Sequence, residues 1–309
     1  MKPGHPLKTL LLMLPTAALF ALLVFVALRS RSDEARAEQL SSRLRRIDLT
    51  ESMRLALVTA SDAERSAVLA VTDEESQTYA DRARSSLATV ERLRGELSPL
   101  VAAGEPATGK ALLDRFASAF ETFRKLDSEI LSLSVKNTNL KAYGLAHGPA
   151  AQSVAEMDAA LSRLIDNTGS SREILLGASQ TLIGILRIQA LLAPHIAEEN
   201  DQKMDELEAS MTREDVRVRQ QLSALSALPP LRNDAALAAV RANYERFSEL
   251  RAQILKLSRE NTNVRSLSLA LDPNRARSMA SCQDALAALK QAFTETAAIP
   301  PAPTNPRHL

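Results

Sequence analysis

Residues 134–145 read SVKNTNLKAYGL and residues 258–269 read SRENTNVRSLSL. They stand 124 residues apart, and the same shift carries the sequence before them into register without gaps. Phe116, Phe120, Phe123, Leu126, Ile130 and Leu133 fall on Val240, Tyr244, Phe247, Leu250, Ile254 and Leu257. Upstream, Glu74-Glu75 falls on Glu198-Glu199. Downstream, a shift one residue longer aligns Ser153, Leu161 and Leu164 with Ser278, Leu286 and Leu289. The chain is therefore read as one unit written twice. The aromatic positions 116, 120 and 123 recur at three- and four-residue spacing, as the core-facing stripe of a helix requires.

Prolines mark where helices stop. Between Pro15 and the tail they occur only at 99, 106, 149, 194, 229, 230 and 273. The intervals are rich in Ala, Leu, Glu, Arg and Ser, and proline is excluded from helix interiors. The spacing predicts helices at about 30–70, 73–98, 108–144, 149–193, 196–227, 233–270 and 275–296. Thr72-Asp73-Glu74-Glu75 reads as a capping box for the second. Val101–Thr108 reads as a long loop, and Asp166–Arg172 (DNTGSSR) as a polar break. Each copy then holds four helical segments with short turns, the pattern of an up-and-down bundle. The expected fold is all-α: an N-terminal transmembrane helix (1–29), a first four-helix bundle (30–167), a second (168–296), and a disordered Pro-rich tail (297–309).

Composition agrees with this class. Of 309 residues, 45% are apolar and 24% charged, enough apolar content for a packed core. There are only 9 Gly and no Trp, which argues against sheet-rich or glycine-loop folds. The balance of 38 basic and 37 acidic residues gives a net charge of +1 and no reason to expect a nucleic-acid partner. Cys282 is the single cysteine, so no intrachain disulfide forms, and its place opposite Met157 in the repeat suits a small buried apolar group.

Residues 10–28 read LLLMLPTAALFALLVFVAL, and no charge lies between Lys8 and Arg29. About 20 apolar residues at ~1.5 Å each cross a ~30 Å hydrocarbon layer. A cleaved signal peptide is the alternative. Its apolar region is usually ~7–15 residues, shorter than this one. Ala35-Arg36-Ala37 resembles a cleavage site but lies well beyond the run. The flanking charges, Lys2 and Lys8 against Arg29, Arg31 and Arg36, nearly balance and leave orientation open. Ile174–Ala193 (ILLGASQTLIGILRIQALLA) is a second apolar stretch. It carries Arg187, which costs ~2.5–3.5 kcal/mol at a bilayer centre, so it reads as a buried bundle helix. Gly177 and Gly184 would let a neighbouring helix approach.

The two NTN segments, each followed by a turn and a Met/Ala/Leu-spaced helix, resemble the four-helix-bundle sensory modules of methyl-accepting chemotaxis receptors. The resemblance covers residues 30–296, in two tandem copies. It implies a sensory or signal-transduction module held in the cytoplasmic (inner) membrane by a single span, with its bulk in the periplasm. It also implies a homodimer joined in coiled-coil fashion through the first helix, a small-molecule ligand, or a signalling partner protein. No second strong span and no cytoplasmic signalling rod follow the second copy, so output is expected through a partner. The alternative is a non-catalytic helical scaffold or adaptor for another envelope protein.

Three polar residues stand on apolar faces. Asn137 and Asn261 extend the core stripe. A buried amide must be hydrogen-bonded, either as a register-fixing Asn or as a ligand contact between helices. Arg187 must be paired, by an anionic ligand or by a Glu from a neighbouring helix. These are the candidate ligand-binding residues. His5, His147, His195 and His308 are scattered, with His147 and His195 in expected turns, and no metal-ligand spacing occurs. No cofactor is expected. There is no P-loop, GxGxxG, HExxH or nucleophile elbow, and no enzyme is expected.

Overall fold

The structure, a computed structural model, describes residues 7–104, 107–168 and 171–295. It leaves aside the side chains of 7–24, 26–28, 32, 103–104 and 167–168. The described residues are helices joined by short turns and contain no strand. In chain order the helices are α1 (Leu7–Leu69), α2 (Asp73–Gly104), α3 (Ala107–Ser134), α4 (Thr138–Leu145), a π-helical turn (Ala146–Ala150), and α5 (Ala151–Thr168). There follow α6 (Arg172–Ala197), α7 (Asp201–Ala227), a 3-10 turn (Pro229–Leu231), α8 (Ala235–Glu260), α9 (Thr262–Ala270) and α10 (Pro273–Glu295).

Local chemistry sets these ends. Thr72 Oγ1 accepts the Glu75 N–H at 3.1 Å, the bond expected of the capping box at the start of α2. Asn200 caps α7 by accepting from Lys203 N at 3.1 Å, and Asp234 caps α8 by accepting from Leu237 N at 2.9 Å. Pro149 sits inside the π-helical turn, where a wider turn accommodates the N–H it lacks. Pro194 does not end α6, which runs on to Ala197.

Two expected helices are shorter than the proline spacing predicts. The expected 108–144 segment breaks after Ser134, and 233–270 breaks at Asn261. Both breaks fall at an asparagine in the left-handed region, Asn137 at φ 50° and Asn261 at φ 52°. A single such residue turns the backbone out of the α-helix. The expected loop 101–108 is narrower, with α2 reaching Gly104 and α3 starting at Ala107. Residues 105–106, 169–170 and the Pro-rich tail 297–309 lie outside the described residues, as do the side chains of most of the 10–28 run.

The chain forms two compact units. One takes residues up to Val58, Leu87–Phe120 and Ala280 onward; the other takes Thr59–Ser86 and Glu121–Met279. These do not follow the division expected at 167/168. In the second unit α5, the last helix of the first copy, packs on α6 and α8 of the second, while α6 packs along α7. The resulting core holds Met157, Leu161 and Leu164 of α5, Ile185 and Ile188 of α6, Val218 and Leu222 of α7, and Tyr244, Phe247 and Ile254 of α8. In the first unit the later part of α10 is tied to α1. Lys290 Nζ is 2.9 Å from Glu51 Oε1, and Arg43 Nε donates to Phe293 O at 2.5 Å. Phe116 and Phe120 stack there with ring centroids 5.5 Å apart. Periodicity tells which face of a helix is apolar, not which neighbour covers it, so the fourth helices exchange places unseen by the repeat.

The aromatic stripe is core in both copies: Phe116, Phe120, Phe123, Val240, Tyr244 and Phe247 are all buried. Cys282 is buried as well, and burial pushes its thiol up to about 12, which leaves it inert. Helix α6 is long and apolar enough to cross a membrane by length and composition. Its Ile174, Ala178, Ile185, Ile188 and Leu192 are buried in the unit's core, whereas Leu175, Leu176, Ile183 and Leu186 are exposed. Gly177 and Gly184 lie against α7, as their spacing predicts. A Cβ on Gly184 would stand 2.5 Å from Val218 Cγ2, and one on Gly177 would stand 2.8 Å from Leu225 Cδ2.

These contacts predict different tolerances. Val218 is β-branched and stiff, so Gly184→Ala should lower stability by about 1–2 kcal/mol, overpacking being partly offset by helix propensity. Leu225 can rotate away, so Gly177→Ala should fall within about 1 kcal/mol of the parent. Urea-unfolding midpoints check both. Gly184→Ala combined with Val218→Ala should cost less than the two single changes added.

Candidate functional site

The two NTN segments are built into one another. Asn137 and Asn261 turn the chain, and α4 and α9 each begin at the following Thr with N–H groups that lack partners in their own helix. The opposite copy supplies them. Thr262 Oγ1 accepts the Thr138 N–H at 3.2 Å, and Thr138 Oγ1 accepts the Thr262 N–H at 3.1 Å. Asn263 Oδ1 accepts the Asn139 N–H, and Asn139 Oδ1 accepts the Asn263 N–H, both at 3.1 Å. The two Thr hydroxyls also share a hydrogen bond at 3.2 Å. Each segment is thus the N-cap of the other, about a local two-fold relation.

The flanking amides close the arrangement. Asn139 Nδ2 donates to Asn261 Oδ1 at 2.7 Å and to Ile196 O at 2.8 Å. Asn263 Nδ2 donates to Asn137 Oδ1 at 2.9 Å. Asn137 Nδ2 donates to Asp73 Oδ1 at 3.0 Å, and Asn261 Nδ2 to Glu198 O at 2.8 Å. Lys141 Nζ, 2.9 Å from Asp73 Oδ2, and the Asn137 amide hold the Asp73 carboxyl below its ordinary range. The clasp thereby reaches the start of α2 and the end of α6.

The sequence candidates fare differently. Asn137 and Asn261 are 1% and 5% exposed, as expected of buried amides, but they occupy helix breaks rather than heptad positions. Their amide oxygens and nitrogens are all engaged by the protein itself. Arg187 is not buried: its side chain is 60% exposed and lies 3.6 Å from Glu214 on α7, the neighbouring-helix carboxylate that was one of its two expected partners. Among the described residues no hydrogen bond or ion pair joins Arg187 to either asparagine.

The sequence places His195 in a turn and gives it no partner. It lies in the last turn of α6 rather than in a loop, and is fully buried. Its Nε2 donates to Glu208 Oε1 at 2.8 Å, and the same oxygen accepts Arg259 Nε at 2.7 Å. Its Nδ1 lies 2.8 Å from Ser258 Oγ, whose hydroxyl is also 2.8 Å from the His195 carbonyl. Hydroxyl, imidazole and carboxylate stand in line, as in a hydrolytic triad. Here both Ser258 and His195 are fully buried, and the group ties α6, α7 and α8 together. The repeat could not signal it, because His195 aligns with Val71 and Glu208 with Arg84. Asp215 anchors a second knot, accepting from Tyr244 Oη at 2.7 Å and from Arg251 Nη2 and Arg219 Nε at 3.1 Å. Burial alone would raise the Asp215 carboxyl, but Tyr244, Arg251 and Arg219 together hold it below the ordinary carboxylate range.

Beside the clasp lies an open cleft of about 470 Å³, lined by Glu129, Glu199, Arg259, Asn261, Arg265 and Ser268 among others. It presents both charge signs and a partly polar floor, which suits a small polar solute rather than an apolar one. No group of three or more metal-ligating side chains occurs among the described residues. No protein-family model and no curated protein sequence matches the chain.

Reciprocal capping makes the two segments energetically dependent. Asn139→Ala and Asn263→Ala should each cost about 1–2 kcal/mol, the loss of a cap and of a buried amide bond. The double variant should cost clearly less than the sum, since each single change already strands its partner. Equilibrium unfolding of the three variants measures that coupling, and strict additivity would show that the two caps act separately.

Proposed function

We propose that the protein is a membrane-anchored sensory module, resembling the extracytoplasmic bundle domains of chemotaxis receptors, with output through a partner protein. The observation that carries the reading is α1. It is a single helix from Leu7 to Leu69. The membrane-length apolar run and side chains buried in the helical core, Leu49, Met53 and Leu57 among them, therefore belong to one helix. An axial or rotational shift at one end of a continuous helix is felt at the other. The first 29 residues serve as the anchor, and the bulk of the chain lies outside the cytoplasmic membrane.

The cleft beside Asn261 is the place for a small polar ligand, because it borders the contact that joins the two copies. Helix α6 is a bundle helix in this reading and not a second span. It packs along α7, whose DELEASMTREDVRVRQ stretch is too charged to enter a bilayer.

A second reading has its own observation. The first unit's part of α1 exposes Leu40, Leu44, Leu55 and Val58, and in the other unit α6 exposes Leu175, Leu176, Ile183 and Leu186. Lengthwise apolar exposure of this kind suits a protein surface. A homodimer through α1, or a role as a non-catalytic scaffold for another envelope protein, would cover it.

Topology separates the readings. A reporter active only outside the cytoplasm, fused after Leu309, should be active. Inactivity, with a cytoplasmic reporter active in the same position, would replace the sensory module with a cytoplasmic scaffold tethered to the membrane. With the extracytoplasmic result, a thermal-shift screen of small polar solutes should find a stabilising ligand whose effect Arg265→Glu reduces.

A further inference from the structure

Three charged residues lie in the core of the second unit. Glu64 of α1 and Asp127 of α3 are fully buried, and Arg275 of α10 is 4% exposed. Arg275 Nε donates to Glu64 Oε2 at 2.8 Å, Nη2 lies 2.6 Å from the same oxygen and 3.2 Å from Ser61 Oγ, and the guanidinium carbon stands 5.2 Å from the centre of the Phe123 ring. That accounts for one carboxylate oxygen out of four. Glu64 Oε1 and both oxygens of Asp127 are buried without a donor. The two carboxyl groups are themselves within hydrogen-bond reach of each other.

Two buried carboxylates facing each other over one guanidinium cannot both be comfortably ionised. A proton on Asp127 resolves this. Its O–H donates to Glu64 Oε1, which gives a partner to both carboxyl groups, and the remaining charges, Glu64⁻ and Arg275⁺, cancel. The charged groups facing Asp127 from the surrounding helices are Glu64 from α1, Arg84 from α2 and Arg275 from α10. Burial and Glu64 favour the protonated form; the two arginines oppose it and are outweighed, so the Asp127 carboxyl is pushed up to about 8. The repeat sets the position apart: Asp127 aligns with Arg251, which faces Asp215, and Glu64 aligns with the buried apolar Ile188. An arginine and an apolar side chain stand at these positions in the second copy, so no carboxyl pair forms there.

We propose that Glu64, Asp127 and Arg275 form a binding site for one exchangeable proton, which holds α1, α3 and α10 together when occupied and pushes Glu64 and Asp127 apart when vacated. The proton is bound in the folded state and released on unfolding between the ordinary Asp range near pH 4 and about pH 8. Folding stability from this site therefore falls as pH rises through that window, by up to about tenfold in the folding constant per pH unit, and levels off above it. The packing of α1, the helix that carries the apolar run, thus responds to pH.

The test compares the full-length chain in detergent micelles with Asp127→Asn, by urea unfolding from pH 5 to pH 9. The Asn amide donates to Glu64 without titrating. The parent should lose stability relative to the variant by close to tenfold per unit between about pH 5 and 7, and the gap should stop widening above about 8. Parallel curves would overturn the proposal. If the variant does not fold, ¹³C-carboxyl spectra of the Asp-labelled parent decide: one Asp carboxyl should still be protonated at pH 6 and titrate near 8. A full set of ionised Asp carboxyls at pH 6 would refute the site.

Discussion

The reciprocal capping of the two NTN turns is the constraint on which the second unit depends. A helix broken at Asn137 or Asn261 leaves N–H groups at the start of the next helix that water must otherwise reach. Here Thr138 and Asn139 are buried, and so is Thr262. Neither copy can satisfy these groups alone, because the acceptors at the start of each new helix belong to the other copy's Thr and Asn. The repeat is therefore not two independent domains that happen to touch. Each copy completes the other, and the identical tripeptide follows from the two-fold relation: the same donors and acceptors must meet from both sides. Asparagine is suited to the turn itself, since its short polar side chain tolerates the left-handed region and can bond across the break.

The allocation of the fourth helices makes the same point at the level of packing. Helix α5 follows α4 and buries Met157, Leu161 and Leu164 in a core whose other walls are α6, α7 and α8. The later part of α10 follows α9 and is bonded to α1 instead. A chain severed between 167 and 168 would thus lose a wall of the core rather than divide into two bundles. Contacts between residues far apart in sequence, such as Arg275 with Glu64, are a consequence of this exchange.

Much of the fold was legible in the sequence, and the failures have common causes. Helix content, the capping box at Thr72, the buried aromatic stripe and the close approach at Gly177 and Gly184 all depend on residues within a few positions of one another. The apolar spacing runs on through Asn137 and Asn261 and so predicts helix interior where the chain breaks. What distinguishes a register Asn from a turn Asn is its φ, and nothing in the spacing encodes that. Arg187 was expected to be buried because its helix is apolar all round, yet one side of α6 stays exposed along with it. Pro194 predicts a turn at His195. Proline in the last turn of a helix displaces little, and α6 continued past it. Glu64, Asp127 and Arg275 were invisible because their meeting requires α10 to return to α1 and α3, which is a fact of topology.

Charge inside the second unit is handled in two different ways. In the second copy two carboxylates are each met by several donors: Glu208 receives His195 and Arg259, and Asp215 receives Tyr244, Arg251 and Arg219. Such closed networks fix one arrangement of α6, α7 and α8, because any displacement strands several groups at once. The cluster at Asp127 has too few donors for its acceptors. With and without its proton the proposed site favours different spacings of the helices that carry it, and an element of that kind can be biased by a change elsewhere. If α1 passes a displacement, as proposed, the protein needs one rigid part to hold its shape and one part that can yield. The knots around His195 and Asp215 fit the first requirement, and the carboxyl pair that joins α1 to α3 fits the second.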